Sequence, residues 1–319
     1  MSTSPRILAV CVNWNGRAVL PAALASLRAG GVDPPVIVVD NASTDGSPDW
    51  VDLPASRSRL LRLAENRGYG AAVNEAIRRR PTLFPEEPPP DWFLVFNNDV
   101  TFSPSALAGL IPFAESTGPG IYGPKIVRWD RPDLLEAAWG RITWGCALAH
   151  WVGVGSPAER WIETTRVPLL LGCALLIHRG VFERCGLFDE EYFLYHEEID
   201  LAYRAARAGF PVYFRPDAVV RHRSGHSSGG DTLFRTYWTR RNTIVFLRKH
   251  RPGPGKWGRF LGSAAGSVLW NLLHRRFRRT GVILRGYRDG FAWRRPADPG
   301  EDRDEPDDVP HGDGSSGRE

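Results

Sequence analysis

Apolar positions in this chain follow two rhythms, and the first half alternates between them. Ile7 to Val12 is an apolar run of strand length, and Ala18 to Arg28 then carries Leu20, Leu24 and Leu27 at helical spacing. Val36-Ile37-Val38-Val39 is continuous and β-branched, the pattern of a strand buried on both faces of a parallel sheet. It stops on Asp40-Asn41-Ala42-Ser43-Thr44-Asp45-Gly46, which can cap a following helix. Leu60–Leu63 is a shorter strand leading to Glu65–Gly70, Ala71 to Arg80 has helical character, and Pro81 to Pro90 reads as a loop. Trp92–Phe96 is the next strand and halts on Asn97-Asn98-Asp99. Four strands with crossover helices predict a doubly wound, mostly parallel α/β unit of about 100 residues.

The second half is irregular. Ile121–Val127 has strand character, residues 139–168 show no clear period, and the apolar run Leu169–Ile177 is interrupted by Gly172. Glu198 to Ala208 predicts a helix with Ile199, Ala202, Tyr203 and Ala206 on one face and Gly209 as its stop. Short strands are expected at Val212–Phe214 and Val219–Val220, and a helix over Thr236–His250 that ends before Pro252. Beyond it, Arg259 to Arg278 reads as one amphipathic helix. Its apolar face is Leu261, Ala264, Val268, Leu272 and Phe277, opposite Arg259, Ser263, Ser267, Asn271, Arg275 and Arg278. The stretch Phe260–Leu273 is too short to cross a bilayer. The domain expectation is a body over residues 1–250, a basic amphipathic helical appendage over 251–295, and an acidic, disordered tail over 296–319.

Charge sharpens this division. Residues 1–247 hold 26 basic and 26 acidic side chains, residues 248–295 hold 13 and 1, and residues 296–319 hold 2 and 9. The net +5 therefore hides a neutral body beside a basic appendage, whose Arg275, Arg276, Arg278 and Arg279 suit an anionic membrane surface. The same helix could equally be packed on the body with its arginines in solvent. A neutral body without a recognised reading module argues against nucleic acid. Cys11, Cys146, Cys173 and Cys185 form no CxxC pair, and the first apolar run leads into Asn13-Trp14-Asn15-Gly16 rather than a cleavage site. A reduced, cytoplasmic setting is the expectation, peripheral on the inner face of the cell membrane if the arginines find lipid.

Three polar clusters follow strand ends: Asn13-Trp14-Asn15, Asp40-Asn41 and Asn97-Asn98-Asp99. In an open parallel sheet such ends share one edge, where ligands bind. An ordinary Asn/Asp turn would give similar letters at any one of them, but three in series point to a ligand edge. Asp40 could accept the N3–H of a pyrimidine ring, with Trp14 beside it, and Asp99 could hold a divalent cation that neutralises a diphosphate. Gly68 and Gly70 lack the third glycine of a dinucleotide fingerprint, which disfavours an oxidoreductase. Downstream, the acids of Asp189 to Asp200 crowd a helix start among aromatics. They could simply complement the helix dipole, or burial could raise one carboxyl toward the range of a general base. His222 again follows a strand, at a position that is more often structural than ligating.

Taken in order, these pieces resemble the family 2 glycosyltransferases and their GT-A-type fold, in particular the rhamnosyltransferase and galactofuranosyltransferase branch. The resemblance covers residues 6–250. It rests on Val12-Asn13-Trp14-Asn15, Val39 to Gly46, Glu65-Asn66-Arg67-Gly68 through Asn74 and Phe96 to Asp99. Gly172-Cys173-Ala174, Gly186 to Glu190, His196 to Leu201, His222 and Arg240-Arg241-Asn242 complete it. It implies a doubly wound, mostly parallel sheet with an irregular acceptor-side half, and inverting transfer from a nucleoside diphosphate sugar, with thymidine diphosphate rhamnose the donor suggested by the branch. It also implies a glycan or lipid-linked acceptor in cell-surface glycan synthesis, and Mg²⁺ or Mn²⁺. By the same resemblance Asp40 reads the base, with Asn13 and Asn98 beside it, and Asn66, Arg67 and Gly68 lie near the nucleotide. Asp99 and His222 hold the metal, and Asn97 replaces the first acid of the family's Asp-x-Asp motif. Glu198 stands where the family's Glu-Asp pair has its catalytic Asp, which leaves either Glu197 or Glu198 as the base. The competing reading is a catalytically silent nucleotide-sugar-binding or scaffold protein of the same fold, which would have no need of Asp99, Glu198 and His222 together.

Overall fold

The computed structural model describes residues 6–30, 32–50, 57–223 and 232–294; the expectation for the acidic tail lies outside them. The first half forms β1 (Ile7–Asn13), α1 (Leu20–Ala29), β2 (Val36–Asp40), β3 (Ser58–Arg62), α2 (Tyr69–Leu83) and β4 (Trp92–Asn97). It continues with β5 (Val100–Phe102), α3 (Ala106–Thr117), β6 (Ile121–Arg128), β7 (Leu135–Ala137), β8 (Trp139–Ile142), β9 (Ala149–Val152) and β10 (Thr165–Arg166). The remainder is β11 (Ala174–His178), α4 (Arg179–Cys185), α5 (Glu197–Arg207), β12 (Val212–His222), α6 (Thr232–His250), α7 (Pro254–Leu273) and α8 (Phe277–Ala292).

One sheet runs β10-β12-β6-β11-β4-β1-β2-β3, with β5 beside β12 and β7 beside β6, while β8 and β9 form a separate hairpin. Strands β4, β1, β2 and β3 are mutually parallel, as is the β6–β12 pair, and β11 runs antiparallel between the two groups. Alternate residues divide between two cores. Leu8, Val10, Val12, Ile37, Val39, Phe93 and Val95 face Ala72, Val73 and Ala76 of α2. Ile7, Ala9, Cys11, Val36, Val38, Leu94 and Phe96 face α1 and α3. Burial on both faces explains why these strands lack polar alternation.

Three elements depart from the sequence expectation. Helix α3 has no counterpart there, because Gly109 and Pro112 interrupt its period. Strand β12 is one element rather than two, carrying Pro216 and Asp217 through a bulge between Arg215 and Val219. The expected helix Arg259–Arg278 is broken at His274–Arg276 into α7 and α8. Its faces also differ from expectation: Phe260, Ala264 and Asn271 are buried, and Ser263 Oγ accepts from the Cys146 amide at 2.7 Å, whereas Leu261, Leu272 and Phe277 are exposed. The small polar stripe is thus the inner face, and most of the apolar one is outside.

Helix α8 approaches α6 closely through two glycines. A Cβ at Gly286 would lie 2.8 Å from the Tyr237 carbonyl oxygen, and one at Gly290 2.7 Å from that of Arg241. Ile244, Leu247, Ile283 and Tyr287 then close a small core with Phe260 and Ala264 of α7. The Gly290→Ala variant should therefore lose about 1–3 kcal/mol of stability through overpacking, measured as a lower urea midpoint with an unchanged slope.

Candidate active site

The carboxyl ends of β1, β2 and β4 lie at one edge because their registers pair Asn13 with Asp40 and Val12 with Asn97. Asn13, wholly buried, organises that edge. Its Nδ2 donates to Asp40 Oδ1 at 3.0 Å and to Ser47 Oγ at 2.8 Å, and its Oδ1 accepts from Asn98 Nδ2 at 2.8 Å. A Cβ on Gly16 would sit 2.2 Å from both Asn13 Oδ1 and Asn98 Nδ2, so only glycine admits this contact. Asp40 Oδ2 also accepts from the Ser43 amide at 3.3 Å. Asn13, Asp40 and Asn98 are thus one network, with Trp14 partly exposed beside it.

The loop before α2 is held by Asn41, for which the sequence suggested no separate role. Its Oδ1 accepts from the Arg67 amide and its Nδ2 donates to Asn66 Oδ1, both at 2.9 Å. Asn66 Oδ1 also accepts from the Gly68 amide at 3.0 Å. Gly68 has a φ of 84°, and a Cβ there would fall 2.0 Å from the Phe193 carbonyl oxygen. The Arg67 guanidinium is paired with Glu190 at 3.0 Å.

Pairing of β5 with β12 aligns Val100 with His222, and the Arg223 amide donates to the Asp99 carbonyl. This brings His222 Nε2 within 3.3 Å of Asp99 Oδ1, while His222 Nδ1 lies 2.7 Å from Glu136 Oε2. The first contact is an ion pair, and among the described residues the buried Asp99 Oδ1 has no hydrogen-bond partner beyond it. Burial opposes protonation of His222, but the two carboxylates outweigh it and lift the pKa to about 10. Glu136 was not legible as a site residue; its one signal is a lone charge inside the apolar run Leu134 to Trp139.

The acidic stretch sorts itself by partners. Asp189 pairs with Lys249, and Glu190 with Arg67, Arg78 and Asn74. Asp200 pairs with Arg204 and with His250, both at 2.7 Å. Glu191 Oε2 accepts from Trp293 Nε1 at 2.8 Å. Glu197 and Glu198 differ, each having a buried Oε2 with no hydrogen-bond partner. Burial, with the neighbouring Glu198, raises the Glu197 pKa well above its ordinary range; burial also raises that of Glu198, against hydrogen bonds from backbone amides. Glu197 is buried against Gly70, whereas Glu198 is half-buried and lies along Gly172, its Cγ 3.2 Å from where a Cβ would be. The Cys173 carbonyl accepts from the Asn97 amide at 3.0 Å, so residues 172–173 lie between Glu198 and the end of β4; burial, then the carboxylates of Glu136, Asp99 and Glu198, push up the Cys173 thiol.

Both glutamates follow a contorted turn. Phe193, Tyr195 and His196 have φ of 57°, 66° and 79°, each a conformation that non-glycine residues rarely adopt. Asn242 of α6 holds it: its two amide hydrogens are shared among the carbonyls of Tyr192, Leu194 and Tyr195 at 2.8, 2.9 and 2.8 Å. A shallow cleft lined by Arg6, Asp33 and Arg57 lies at the opposite edge of the sheet, away from all of these groups.

The sheet and its connections are those of a GT-A-type glycosyltransferase, and solved structures share the fold. These include GalNAc-T7 with UDP, GalNAc and Mn²⁺, at a TM-score of 0.55 and 14% identity over 76% of this chain and 47% of that one, so the likeness spans about half of that protein. Another is the mannosyltransferase PcManGT of Pyrobaculum calidifontis with GDP-Man and Mn²⁺, at a TM-score of 0.52 and 18% identity over 91% and 76% of the two chains. The chain belongs to glycosyl transferase family 2, whose description matches residues 9–186. It is 31% identical over 268 residues to the N-acetylglucosaminyl-diphospho-decaprenol L-rhamnosyltransferase of Mycobacterium tuberculosis, covering 76% of this chain and 84% of the relative. It is also 28% identical over 95 residues to Rhamnosyltransferase WbbL of Escherichia coli, covering 30% and 36%. The protein is a glycosyltransferase of rhamnosyltransferase-like type.

Replacing Asn242 by Ala removes the donor that the turn's carbonyls share. Stability should fall by roughly 1–3 kcal/mol, and calorimetric affinity for thymidine diphosphate should fall with it, because the turn also seats Gly68.

Proposed function

We propose that the protein transfers a rhamnosyl unit, with inversion, from a nucleoside diphosphate sugar to a lipid-linked saccharide acceptor in cell-surface glycan synthesis. It would act at the cytoplasmic face of a membrane as a peripheral protein. Sugar and acceptor follow the mycobacterial relative, an N-acetylglucosaminyl-diphospho-decaprenol L-rhamnosyltransferase; thymidine diphosphate rhamnose is the donor that the resemblance to the branch suggests. The observation that supports the chemistry is a half-buried Glu198, its Oε2 without a hydrogen-bond partner among the described residues, lying along Gly172 next to Cys173, whose carbonyl accepts from the Asn97 amide two residues before the buried Asp99.

In this reading Asp40 receives the base of the donor and the Asn66–Gly68 loop lies against the nucleotide. Glu198 accepts the proton of the acceptor hydroxyl as its oxygen bonds to the sugar's anomeric carbon from the face opposite the diphosphate. The bond from that carbon to the diphosphate oxygen breaks, and the nucleoside diphosphate leaves. Glu198 is favoured over Glu197 because it retains access to solvent, while Glu197 is closed in against Gly70.

The residues present suit a divalent cation. Among the described residues Asp99 Oδ1 has only its ion pair with His222 Nε2, and a cation would take the place of the Nε2 proton while Glu136 on Nδ1 keeps the ring oriented. Among the described residues no three such side chains converge, which leaves the other positions to diphosphate and water, as Mg²⁺ or Mn²⁺ accepts. Bound there, the cation supplies charge to stabilise the departing diphosphate.

Two tests follow. In titration calorimetry with thymidine diphosphate, a chelator should weaken binding to the parent, and Asp99→Asn should remove that dependence; a parent indifferent to chelator would refute the metal assignment. Glu198→Gln should lower kcat by about 10²–10⁴-fold with donor affinity nearly unchanged, and Glu197→Gln should cost less. Because burial raises the Glu198 pKa, the base is protonated to a higher pH than an ordinary glutamate. The parent's kcat should therefore rise with pH through a value above the ordinary glutamate range, and this limb should be missing in Glu198→Gln. Near-parental turnover in that variant, with Glu197→Gln dead, would move the base by one residue.

A further inference from the structure

The α7–α8 hairpin bears an apolar surface with no partner among the described residues. Residues 260–274 contain no Asp, Glu, Lys or Arg. One side of α7 is packed through Phe260 and Ala264. The other leaves Leu261, Leu269 and Leu273 exposed at 55%, 57% and 72%. Their spacing of eight and four residues aligns them along one side of the helix. At the turn into α8, Phe277 is 64% exposed, and Arg275, Arg276 and Arg278 stand around it in solvent. The Arg276 guanidinium lies 4.6 Å over the Trp270 ring, so an aromatic edge and a cation are presented together.

A line of leucines costs free energy in water, and its occupant has to match the arginines as well. A second copy of the chain would cover the leucines but bring two cationic tips together. Nucleic acid would match the arginines and leave the leucines wet. A bilayer with anionic headgroups satisfies both, taking apolar side chains below its phosphates and guanidinium groups at them. No helix among the described residues is long and apolar enough to cross a membrane, so such contact would lie in the interfacial plane.

We infer that the α7–α8 hairpin docks the enzyme on an anionic lipid surface, with Leu269, Leu273 and Phe277 inserted and Arg275, Arg276 and Arg278 at the headgroups. For its biological purpose this rests on the lipid-linked acceptor proposed above; the physical argument stands on the hairpin itself.

The test is co-sedimentation of the full chain with vesicles of equimolar phosphatidylcholine and phosphatidylglycerol, against phosphatidylcholine alone. Binding should need the anionic lipid and weaken as salt rises. The Leu273→Ser/Phe277→Ser pair should reduce it by about tenfold or more per residue. Arg275→Gln and Arg276→Gln should each reduce it by about fivefold. Transfer to a water-soluble acceptor analogue should be unchanged in all three variants, so lost docking is read apart from lost catalysis. No sedimentation at low salt would overturn the inference, as would binding that ignores the serine pair or is equal on both vesicles. A dimer dissociated by the serine pair would assign the face to a second copy and overturn it too. Absence of transfer by the parent, with vesicle binding intact, would instead count against the proposed reaction.

Discussion

Much of this site depends on the turn from Tyr192 to His196 and on the Asn242 amide beneath it. Three non-glycine residues there hold backbone angles that each cost on the order of 1–3 kcal/mol, so the turn persists only because its surroundings determine it. Asn242 fixes the carbonyls from the α6 side. From the other side the Tyr69 amide donates to the Phe193 carbonyl at 2.9 Å, and Phe193 stacks on Trp238 with ring centroids 4.7 Å apart. The donor-side loop and the start of α5 are therefore two edges of one object, and Gly68 is where they touch.

A second constraint is electrostatic. Acids in the stretch from Asp189 to Asp200 are mostly neutralised by partners from α2, α5 and α6. This leaves the uncompensated negative charge of that segment on adjacent glutamates, where two carboxylates in low dielectric resist ionising together. A base whose carboxyl burial keeps protonated to a higher pH is a different object from a first-turn acid complementing a helix dipole, although both are written with the same letters.

The sequence made the ligand edge legible for a simple reason: β1, β2 and β4 are apolar on both faces, so small polar residues at their ends stand out against the runs. The order of those clusters, Asn13, Asp40, Asn98 and Asp99, then followed from parallel register alone. Glu136 was hidden because its strand, β7, is three residues long and joins the sheet through a non-local pairing. The packed side of α7 was misread because both its faces are apolar or small; contact with Cys146 and α8, far along the chain, decides which one is buried. Pro216 suggested a break in β12 that a bulge absorbs instead.

Helix α6 has one more implication. At 19 residues it is a rod of about 28 Å. Asn242 near its middle grips the active-site turn, and the carbonyls of Tyr237 and Arg241 seat the two glycines of α8. Turn and hairpin thus share a single beam, with backbone-to-backbone contact in place of a hinge at the joint. Any tilt imposed on α8 is passed on as a rotation of the acceptor side rather than absorbed. Whatever holds the C-terminal helices therefore also sets the angle of the turn that carries Glu197 and Glu198.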